Sequence, residues 1–323
     1  MNVHGDRVVT TATGTGFRHA TYREVGRQAA RLANALRRLG IDGDQRVATF
    51  MWNNQEHLEA YVAVPSMGAV LHTLNIRLFP EQIEFVAYEA EDQIVIADIS
   101  LAAILAPVLH RMETVHTVIV VGSGDLTPFE SSGKRILRYH EITAGESDEF
   151  DWPTIDENSA AAMCYTSGTT GHPKGVVYSH RSSYLHSMAV CSGNGMGLSF
   201  SDKAFPIVPM FHANAWGLPY AALMAGADIV MPDRFMDAKS IVELLETQRP
   251  TVAGAVPTIW NDVMNYLDRE PGHDISSLRL VACGGSAVPL SLMQTFEQRH
   301  GVQIRQLWGM TETSPMATLA WPA

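Results

Sequence analysis

Apolar residues follow two spacings along this chain, and the two spacings alternate. Within residues 22–39 they recur every three or four positions, at Val25, Ala29, Leu32 and Leu36. This spacing predicts an amphipathic helix that stops at Gly40. Short runs such as 46–51 and 116–121 are instead continuously apolar and rich in β-branched residues, which predicts buried strands.

The same two patterns continue to the end of the chain. The predicted helices are 22–39, 54–67, 80–91, 181–191, 238–248, 258–269 and 290–300. The predicted strands are 46–51, 93–97, 116–121, 160–165, 174–178, 227–231, 251–255, 278–283 and 302–307. Strands that alternate with helices form largely parallel sheets covered by helices on both faces, so the fold class is α/β.

Two polar segments interrupt this succession. Residues 122–134 are rich in Gly, Ser, Asp and Pro and predict a loop, and the acidic segment 145–158 predicts a linker. A chain of 323 residues is long for a single core. We therefore expect two α/β subdomains, 1–155 and 156–323.

The composition is ordinary for a globular protein, with 46% apolar and 18% charged residues. The net charge of −11 disfavours nucleic acid as a partner. Apolar runs long enough for an integral membrane segment are absent, and the first residues lack the apolar core of a secretory signal. The three cysteines lie outside any metal-binding spacing, which is typical of reduced thiols, so we expect a cytoplasmic protein.

The segment 165–175 has the composition of a phosphate-binding loop. It reads Tyr-Thr-Ser-Gly-Thr-Thr-Gly-His-Pro-Lys-Gly and follows a predicted strand. Glycines let backbone N–H groups surround an anion, and the hydroxyls and Lys174 add donors and charge. A Walker loop has its lysine before Ser or Thr at the start of a helix. Here Lys174 follows Pro173 and precedes a predicted strand, so the Walker interpretation fails.

Two further motifs accompany this loop. Residues 209–216 read Pro-Met-Phe-His-Ala-Asn-Ala-Trp, and residues 306–313 read Gln-Leu-Trp-Gly-Met-Thr-Glu-Thr. Together the three motifs resemble the adenylate-forming superfamily, which includes acyl-CoA synthetases, peptide-synthetase adenylation domains and firefly luciferase. The resemblance implies two β-sheet subdomains with flanking helices, the layered αβαβα N-terminal body of that fold. It also implies ATP and Mg²⁺ as cofactors and coenzyme A as co-substrate.

The resemblance assigns roles residue by residue. The catalytic residues would be Lys174, His212, Thr311 and Glu312. The ATP-binding residues would be Thr166, Ser167, Gly168, Thr169, Thr170, Gly171, Lys174, Gln306, Trp308, Gly309 and Thr311. Thr166 and Glu312 would lie at the metal. Trp308 replaces the tyrosine usual at its position, so it can stack on adenine but lacks the phenolic hydroxyl.

The acyl site follows from the same resemblance. Its residues would be His212, Ala213, Trp216, Gly284, Gly285 and Met310. A tryptophan placed like Trp216 gates the acyl tunnel of long-chain acyl-CoA synthetases, so we expect a medium- or long-chain fatty acid. An aryl acid, a methylthio-substituted acid or another short acid remains an alternative substrate. Gly284 and Gly285 could instead form a simple turn between a strand and a helix. Trp216 could instead be an ordinary core residue.

The family has further elements downstream of Glu312: an aspartate for the ribose, a hinge, and a C-terminal lid with a catalytic lysine. The chain ends at Ala323, so we expect the lid to be absent and the chain to be an N-terminal part with little activity alone. The alternative is a non-catalytic acyl- or nucleotide-binding or assembly module. Relatives with the gate tryptophan can be homodimers, and the resemblance extends that expectation to this chain.

Overall fold

The computed structural model describes residues 3–166 and 173–321, which form two compact units. Unit 1 comprises Met1–Arg23, Asn53–Gln55 and Ser183–Ala323, and unit 2 comprises Glu24–Trp52 and Glu56–Ser182. The predicted boundary between residues 155 and 156 does not coincide with this division. The reason is long-range pairing, because the strand Val8–Ala12 pairs with Asp228–Met231, whereas Ala160–Thr166 joins the sheet of unit 2.

The strands are β1 (Val8–Ala12), β2 (Phe17–Thr21), β3 (Arg46–Phe50), β4 (Val70–Thr73), β5 (Asp92–Asp98), β6 (Thr117–Val121), β7 (Arg135–Arg138), β8 (Ala160–Thr166), β9 (Lys174–Ser179), β10 (Lys203–Pro206), β11 (Asp228–Met231), β12 (Val252–Ala255), β13 (Leu280–Cys283), β14 (Ile304–Gly309) and β15 (Met316–Leu319). The helices are α1 (Tyr22–Arg38), α2 (Gln55–Ser66), α3 (Pro80–Glu89), α4 (Ala102–Leu109), α5 (Thr127–Glu130), α6 (Tyr139–Ala144), α7 (His180–Cys191), α8 (Ala213–Trp216), α9 (Leu218–Ala225), α10 (Ala238–Gln248), α11 (Pro257–Arg269) and α12 (Leu290–His300).

Unit 2 is built on a mixed sheet with the strand order β7-β6-β5-β3-β4-β8-β9. Neighbouring strands run parallel from β7 to β8, and β9 pairs with β8 in the antiparallel direction. Counted from β3, the first five strands of this unit lie in the order 2-1-3-4-5, which is flavodoxin-like winding.

Unit 1 repeats this winding. Its sheet has the order β15-β14-β13-β12-β10-β11-β1-β2, and β10 to β14 again lie in the order 2-1-3-4-5. Strand β1 extends the sheet in parallel beside β11, and β2 and β15 form antiparallel edges. The prediction of two sheets with flanking helices is therefore confirmed.

Helix spacing explains the core of unit 1. In α11, Trp260, Val263, Met264 and Leu267 are buried at helical spacing. They pack in one cluster with side chains of α10 and α12, and the rings of Trp260 and Phe296 meet edge to face with centroids 5.7 Å apart. Such pairing follows from the quadrupoles of aromatic rings. The apolar pattern of these helices thus predicted both their existence and their buried face.

Among the described residues, both strands and helices were missed: the helices α4, α5, α6, α8 and α9 have no predicted counterpart. Strands β1, β2, β4, β7, β10 and β15 have four or five residues each and were not predicted. The predicted loop 122–134 contains the one-turn helix α5, whose Phe129 is fully buried. In the part of the chain that the structure describes, every helix is too short or too polar to cross a lipid bilayer.

Candidate functional site

The topology of unit 1 singles out one edge of its sheet. Strands β10 and β12 are parallel neighbours, but the chain continues from β10 to β11 on one side and from β12 to β13 on the other. At such a switch point an open α/β sheet leaves a crevice at the carboxyl ends of its strands, where ligands bind. Residues 207–217 leave β10 at this point and contain the predicted residues His212, Ala213 and Trp216.

His212 is exposed on a connection that is otherwise buried. Within residues 204–219, all of which the structure describes, Pro209 is half-buried and His212 is exposed, while the remaining residues are buried. Phe211 and Ala213, on either side of His212, are only 5% and 3% exposed. Packing therefore holds the backbone around His212 while its imidazole stays accessible, which suits a side chain that contacts a ligand.

The one-turn element α8 (Ala213–Trp216), which follows His212, is a left-handed turn. The φ angles of Ala213, Asn214, Ala215 and Trp216 are 44°, 52°, 51° and 55°, and Gly217 follows at 70°. Each residue with a Cβ costs about 1–2 kcal/mol in this conformation. Strain of this kind persists only where the surrounding structure enforces it, and it concentrates at functional sites.

His186 on α7 holds the end of this turn. Its Nε2 lies 2.8 Å from the carbonyl oxygen of Trp216, and both residues are buried. Burial lowers the pKa of His186, which favours a neutral imidazole whose Nε2–H donates to that carbonyl. A Cβ added to Gly217 would lie 2.2 Å from Cδ2 and 2.4 Å from Nε2 of the same ring. A Cβ at position 217 would therefore collide with the His186 ring unless the ring moved.

The indole of Trp216 lies above β12. A Cβ added to Gly254 would lie 3.7 Å from Cε3 and 3.9 Å from Cζ3 of Trp216, and 3.8 Å from Cδ2 of Leu218. These are ordinary van der Waals distances, so the indole rests against bare backbone with room for about one methyl group. Trp216 is 6% exposed. The strained turn thus holds a nearly buried indole beside the exposed His212.

Gly284 and Gly285 follow β13 at the same edge, and their environments differ. A Cβ on Gly284 would lie 2.5 Å from the carbonyl oxygen of Leu307 in β14, so the close approach of the two strands requires glycine there. Gly285 has a φ of 82° and is exposed, as is Ser286. Strand packing and turn geometry therefore account for both glycines, and the exposed backbone of Gly285 is the part that can face a ligand.

The end of β14 supplies the next predicted group. Trp308 and Met310 are 52% and 48% exposed, and Glu312 is exposed on the 3₁₀ turn Thr311–Thr313. A Cβ on Gly309 would lie 2.0 Å from the carbonyl oxygen of Pro315, so glycine is required where the chain folds back into β15. The fold therefore presents an indole face near the carboxyl end of β14, and a thioether and a carboxylate just beyond it.

Two polar side chains shape this turn from within. The Oγ1 of Thr313 accepts the backbone N–H of Met310 at 2.9 Å and lies 2.6 Å from the carbonyl oxygen of Pro315. The Oε1 of Gln306 accepts the backbone N–H of Val288 at 3.2 Å. Gln306 therefore connects β14 to the segment after β13, which is a structural contact that the sequence did not indicate.

The structure describes the two ends of the predicted phosphate-binding loop, and both ends belong to unit 2. Thr166 and Lys174 are paired where β8 and β9 meet the loop, and both approach solvent. Tyr165 packs against Gly175, where an added Cβ would lie 3.1 Å from Cζ of the ring. The predicted residues Ser167, Gly168, Thr169, Thr170 and Gly171 lie outside the described residues. Lys174 begins a strand and not a helix, which agrees with the rejection of a Walker loop.

The donor set of the described residues restricts the kind of metal site that they can form. Within residues 3–166 and 173–321, no group of three or more His, Cys, Asp or Glu side chains could hold a metal ion. Mg²⁺ commonly takes one or two carboxylates and fills its remaining positions with phosphate oxygens and water. The exposed carboxylate of Glu312 fits that pattern. A zinc site built from several protein ligands does not fit the described residues.

Comparison with known proteins now bears on these features. The model of the family described as AMP-binding enzyme matches residues 1–323, which is the whole chain. The chain belongs to the AMP-binding enzyme family. The resemblance to adenylate-forming enzymes that the three motifs indicated is thereby confirmed.

Similar curated proteins and solved structures support this family assignment. The chain is 39% identical over 320 residues to the medium-chain-fatty-acid–CoA ligase of Ectopseudomonas oleovorans, covering 99% of this chain and 58% of that protein. It is 44% identical over 313 residues to the long-chain-fatty-acid–CoA ligase of Thermus thermophilus, covering 97% of this chain and 56% of that protein. The solved long-chain-fatty-acid-CoA ligase of Archaeoglobus fulgidus superposes with a TM-score of 0.86 at 24% identity, covering 98% of this chain and 64% of that one.

The chain thus spans little more than half the length of the curated AMP-binding relatives it matches. Within it, the structure brings the segments around His212, Gly285 and Glu312 to the carboxyl edge of one sheet. Sequence reasoning missed His186 and Gly254, which contact the turn of Trp216. Their signals are tertiary, because a histidine inside a helix and a glycine inside a strand have no distinctive local pattern.

Proposed function

We propose that this chain carries the nucleotide- and acyl-binding part of an ATP-dependent fatty-acid–CoA ligase of the AMP-forming type. The observation that carries the proposal is the exposed His212 beside the buried Trp216 at the switch point of the unit 1 sheet. A polar group next to an apolar wall suits a substrate with a carboxylate head and a hydrocarbon tail. Family membership and the names of the relatives support the same substrate class.

The proposed reaction has two steps. A carboxylate oxygen of the fatty acid attacks the α-phosphorus of ATP, and the bond from that phosphorus to the pyrophosphate oxygen breaks. The sulfur of coenzyme A then attacks the acyl carbon, and AMP leaves with the electron pair of the acyl–oxygen bond. Because two anions must approach each other in the first step, positioning and charge neutralisation supply most of the catalysis.

Each predicted residue has a defined task in this proposal. His212 orients the carboxylate, Thr311 donates a hydrogen bond to the α-phosphate, and Lys174 contributes positive charge from the loop. Trp308, with half of its surface exposed, offers a face on which adenine stacks. The other nucleotide-binding residues are those assigned by the resemblance, namely Thr166, Ser167, Gly168, Thr169, Thr170, Gly171, Gln306 and Gly309.

Mg²⁺ belongs to the proposal as the ion that accompanies the phosphates of ATP. The exposed carboxylate of Glu312 is the group that we expect to hold it, and Thr166 is the second residue assigned to it by the resemblance. When bound, the ion neutralises phosphate charge.

The acyl chain is proposed to lie against Trp216 and Ala213, with Gly284, Gly285 and Met310 at the same edge. Asp228 and Asp233 are the nearest acidic residues downstream of His212 in sequence, and the Asp228 carboxylate already accepts the backbone N–H of Val8 at 2.9 Å. An amino-acid substrate needs a carboxylate for its ammonium group, so the fatty acid is the better candidate. We propose that the reaction takes place in the cytoplasm. We also propose that the chain forms a homodimer, which light scattering of the purified chain tests.

The test uses stable mimics of the acyl adenylate. Acyl sulfamoyl adenosines with chains from butanoyl to octadecanoyl, and with methylthiopropanoyl and aryl groups, are titrated into the chain by calorimetry. We expect binding that tightens with chain length and weakens in His212→Ala. Binding of AMP alone with no gain from any acyl group would overturn the proposal in favour of a nucleotide-binding module. Fatty-acid-dependent exchange of pyrophosphate into ATP would show, in addition, that the chain turns over alone.

A further inference from the structure

The connection that follows β10 has backbone groups that the sheet cannot pair. The backbone N–H of Ile207 donates to the carbonyl of Phe205, and that of Val208 donates to the carbonyl of Gly254 in β12. The carbonyl oxygen of Pro206, the last ladder residue of β10, lies in the same buried stretch as the carbonyl oxygen of Val208 and the N–H of Met210. Buried backbone groups require partners, so something outside the strand must supply them.

Asn53 supplies all three partners. Its Nδ2 lies 2.8 Å from the carbonyl oxygen of Pro206 and 2.9 Å from that of Val208, and its Oδ1 accepts the N–H of Met210 at 2.7 Å. Both amide hydrogens and the amide oxygen are therefore used, and the two carbonyl acceptors fix the orientation of the amide. The Asn53 amide thus makes the hydrogen bonds to residues 206–210 that a neighbouring strand would otherwise make.

Asn53 is itself held in place. It is 1% exposed, its carbonyl oxygen accepts the N–H of Asp233 at 2.9 Å, and the two residues form an antiparallel bridge just after β11. The segment Asn53–Gln55 belongs to unit 1 although it lies between two segments of unit 2 in sequence. The amide is thus tied to the carboxyl ends of β10 and β11, the first two strands of the winding.

His212 lies two residues beyond the last of these hydrogen bonds. Its own N–H donates to the carbonyl of Pro209 at 3.0 Å, so a shift of residues 206–210 moves the base of its side chain directly. We propose that Asn53 is a positioning residue for His212, holding the connection so that the exposed imidazole meets the substrate carboxylate. This inference rests on the function proposed above.

The alternative is that Asn53 only stabilises the fold. A double-mutant cycle distinguishes this role from the positioning of His212. Asn53→Asp keeps the volume and the acceptor for Met210 but turns a carboxylate oxygen toward two carbonyls. The measurement is the affinity for dodecanoyl sulfamoyl adenosine in the wild-type chain, Asn53→Asp, His212→Ala and the double variant. If Asn53 acts through His212, we expect each single variant to lose about tenfold or more in affinity. The double variant should then lose no more than His212→Ala alone.

Thr251→Val is the matched control. The Oγ1 of Thr251 donates to Asp202 at 2.7 Å and accepts the N–H of Lys203 at 3.0 Å, at the amino end of β12 and away from the carboxyl edge. This variant should lower the melting temperature while the affinity stays at the wild-type value. Asn53→Gln, which keeps the amide on a longer stem, replaces Asn53→Asp in the cycle if the latter does not fold.

The outcomes are distinguishable. Wild-type affinity in Asn53→Asp and Asn53→Gln overturns the inference and leaves the proposed function intact. The inference is also overturned if the Asn53 substitution lowers the affinity by the same factor in the wild-type chain and in His212→Ala, because Asn53 would then act independently of the imidazole. A wild-type chain that does not bind the mimic at all overturns the proposed function, and the inference falls with it.

Discussion

Replacing Gly217 by alanine should destabilise unit 1 for two reasons that can be measured separately. The first is backbone strain, since a residue with a Cβ at a φ of 70° costs about 1–2 kcal/mol. The second is a collision, because the new Cβ would lie 2.2 Å from Cδ2 of His186, and overpacking of a buried site costs about 1–3 kcal/mol. Together these effects lower the free energy of unfolding by about 2–5 kcal/mol.

His186→Ala provides the second arm of a thermodynamic cycle. It removes the hydrogen bond to the buried carbonyl of Trp216, which should cost about 1–3 kcal/mol. In the double variant the collision no longer exists, so only the strain at position 217 adds to the loss from His186→Ala. We therefore expect the double variant to be more stable than the sum of the single effects predicts, by about 1–3 kcal/mol.

Urea unfolding of the four proteins, followed by far-ultraviolet circular dichroism, measures this coupling. Gly226→Ala is the matched control, since Gly226 has a φ of 68° and its added Cβ would meet the ring of His4 at 2.5 Å. His186→Ala should not rescue Gly226→Ala. Additive effects of Gly217→Ala and His186→Ala, within about 0.5 kcal/mol, would refute the proposed contact between the turn and the His186 ring.

Three further predictions concern other parts of the chain. Burial lowers the pKa of His57 from 6.5 to about 4, so between these pH values the unfolded chain binds more protons than the folded chain. The free energy of unfolding therefore falls as the pH is lowered, by up to about 3 kcal/mol at pH 4. His57→Gln should flatten this pH dependence in unfolding titrations. Among the described residues, the buried indole N–H of Trp260 has no hydrogen-bond partner, so Trp260→Phe loses buried volume but no hydrogen bond. It should cost clearly less than Trp260→Ala, which should cost about 3–5 kcal/mol in the same assay. Gly254→Ala should be accepted, but Gly254→Val should displace the Trp216 indole and lower the melting temperature, and unchanged stability of the valine variant would contradict the packing described.

Local patterns predicted the parts of the fold that depend on local physics. The helices α10, α11 and α12 were identified with errors of at most one residue at their ends, because their apolar residues follow the helical period. The phosphate-binding role of residues 165–175 stays a prediction, which rests on glycines and hydroxyls in close succession. His212 was singled out by its motif and its role stays a prediction, and the structure adds that the residue is exposed on a buried segment.

Other features depend on residues distant in sequence and were not predictable. Strand β1 lies in unit 1 because it pairs with β11, and no local signal at residues 8–12 indicates that partner. The left-handed turn was also hidden, because alanine and tryptophan have no preference for positive φ and take it here under the constraint of neighbours such as His186. Asn53 is followed by Asn54 and looks like an ordinary polar connection in the sequence.

The interleaved division of the chain has a consequence for its synthesis. The backbone N–H of Val8 bonds the side chain of Asp228, a partner that lies 220 residues later. At a translation rate of about 5–20 residues per second, β1 waits roughly 10–45 s for β11 to be made. Most of unit 2, a nearly continuous stretch, is complete within that time. The edge of β1 that pairs with β11 therefore stays without its native partner throughout this interval, and an unpaired strand edge on a nascent chain is prone to aggregation.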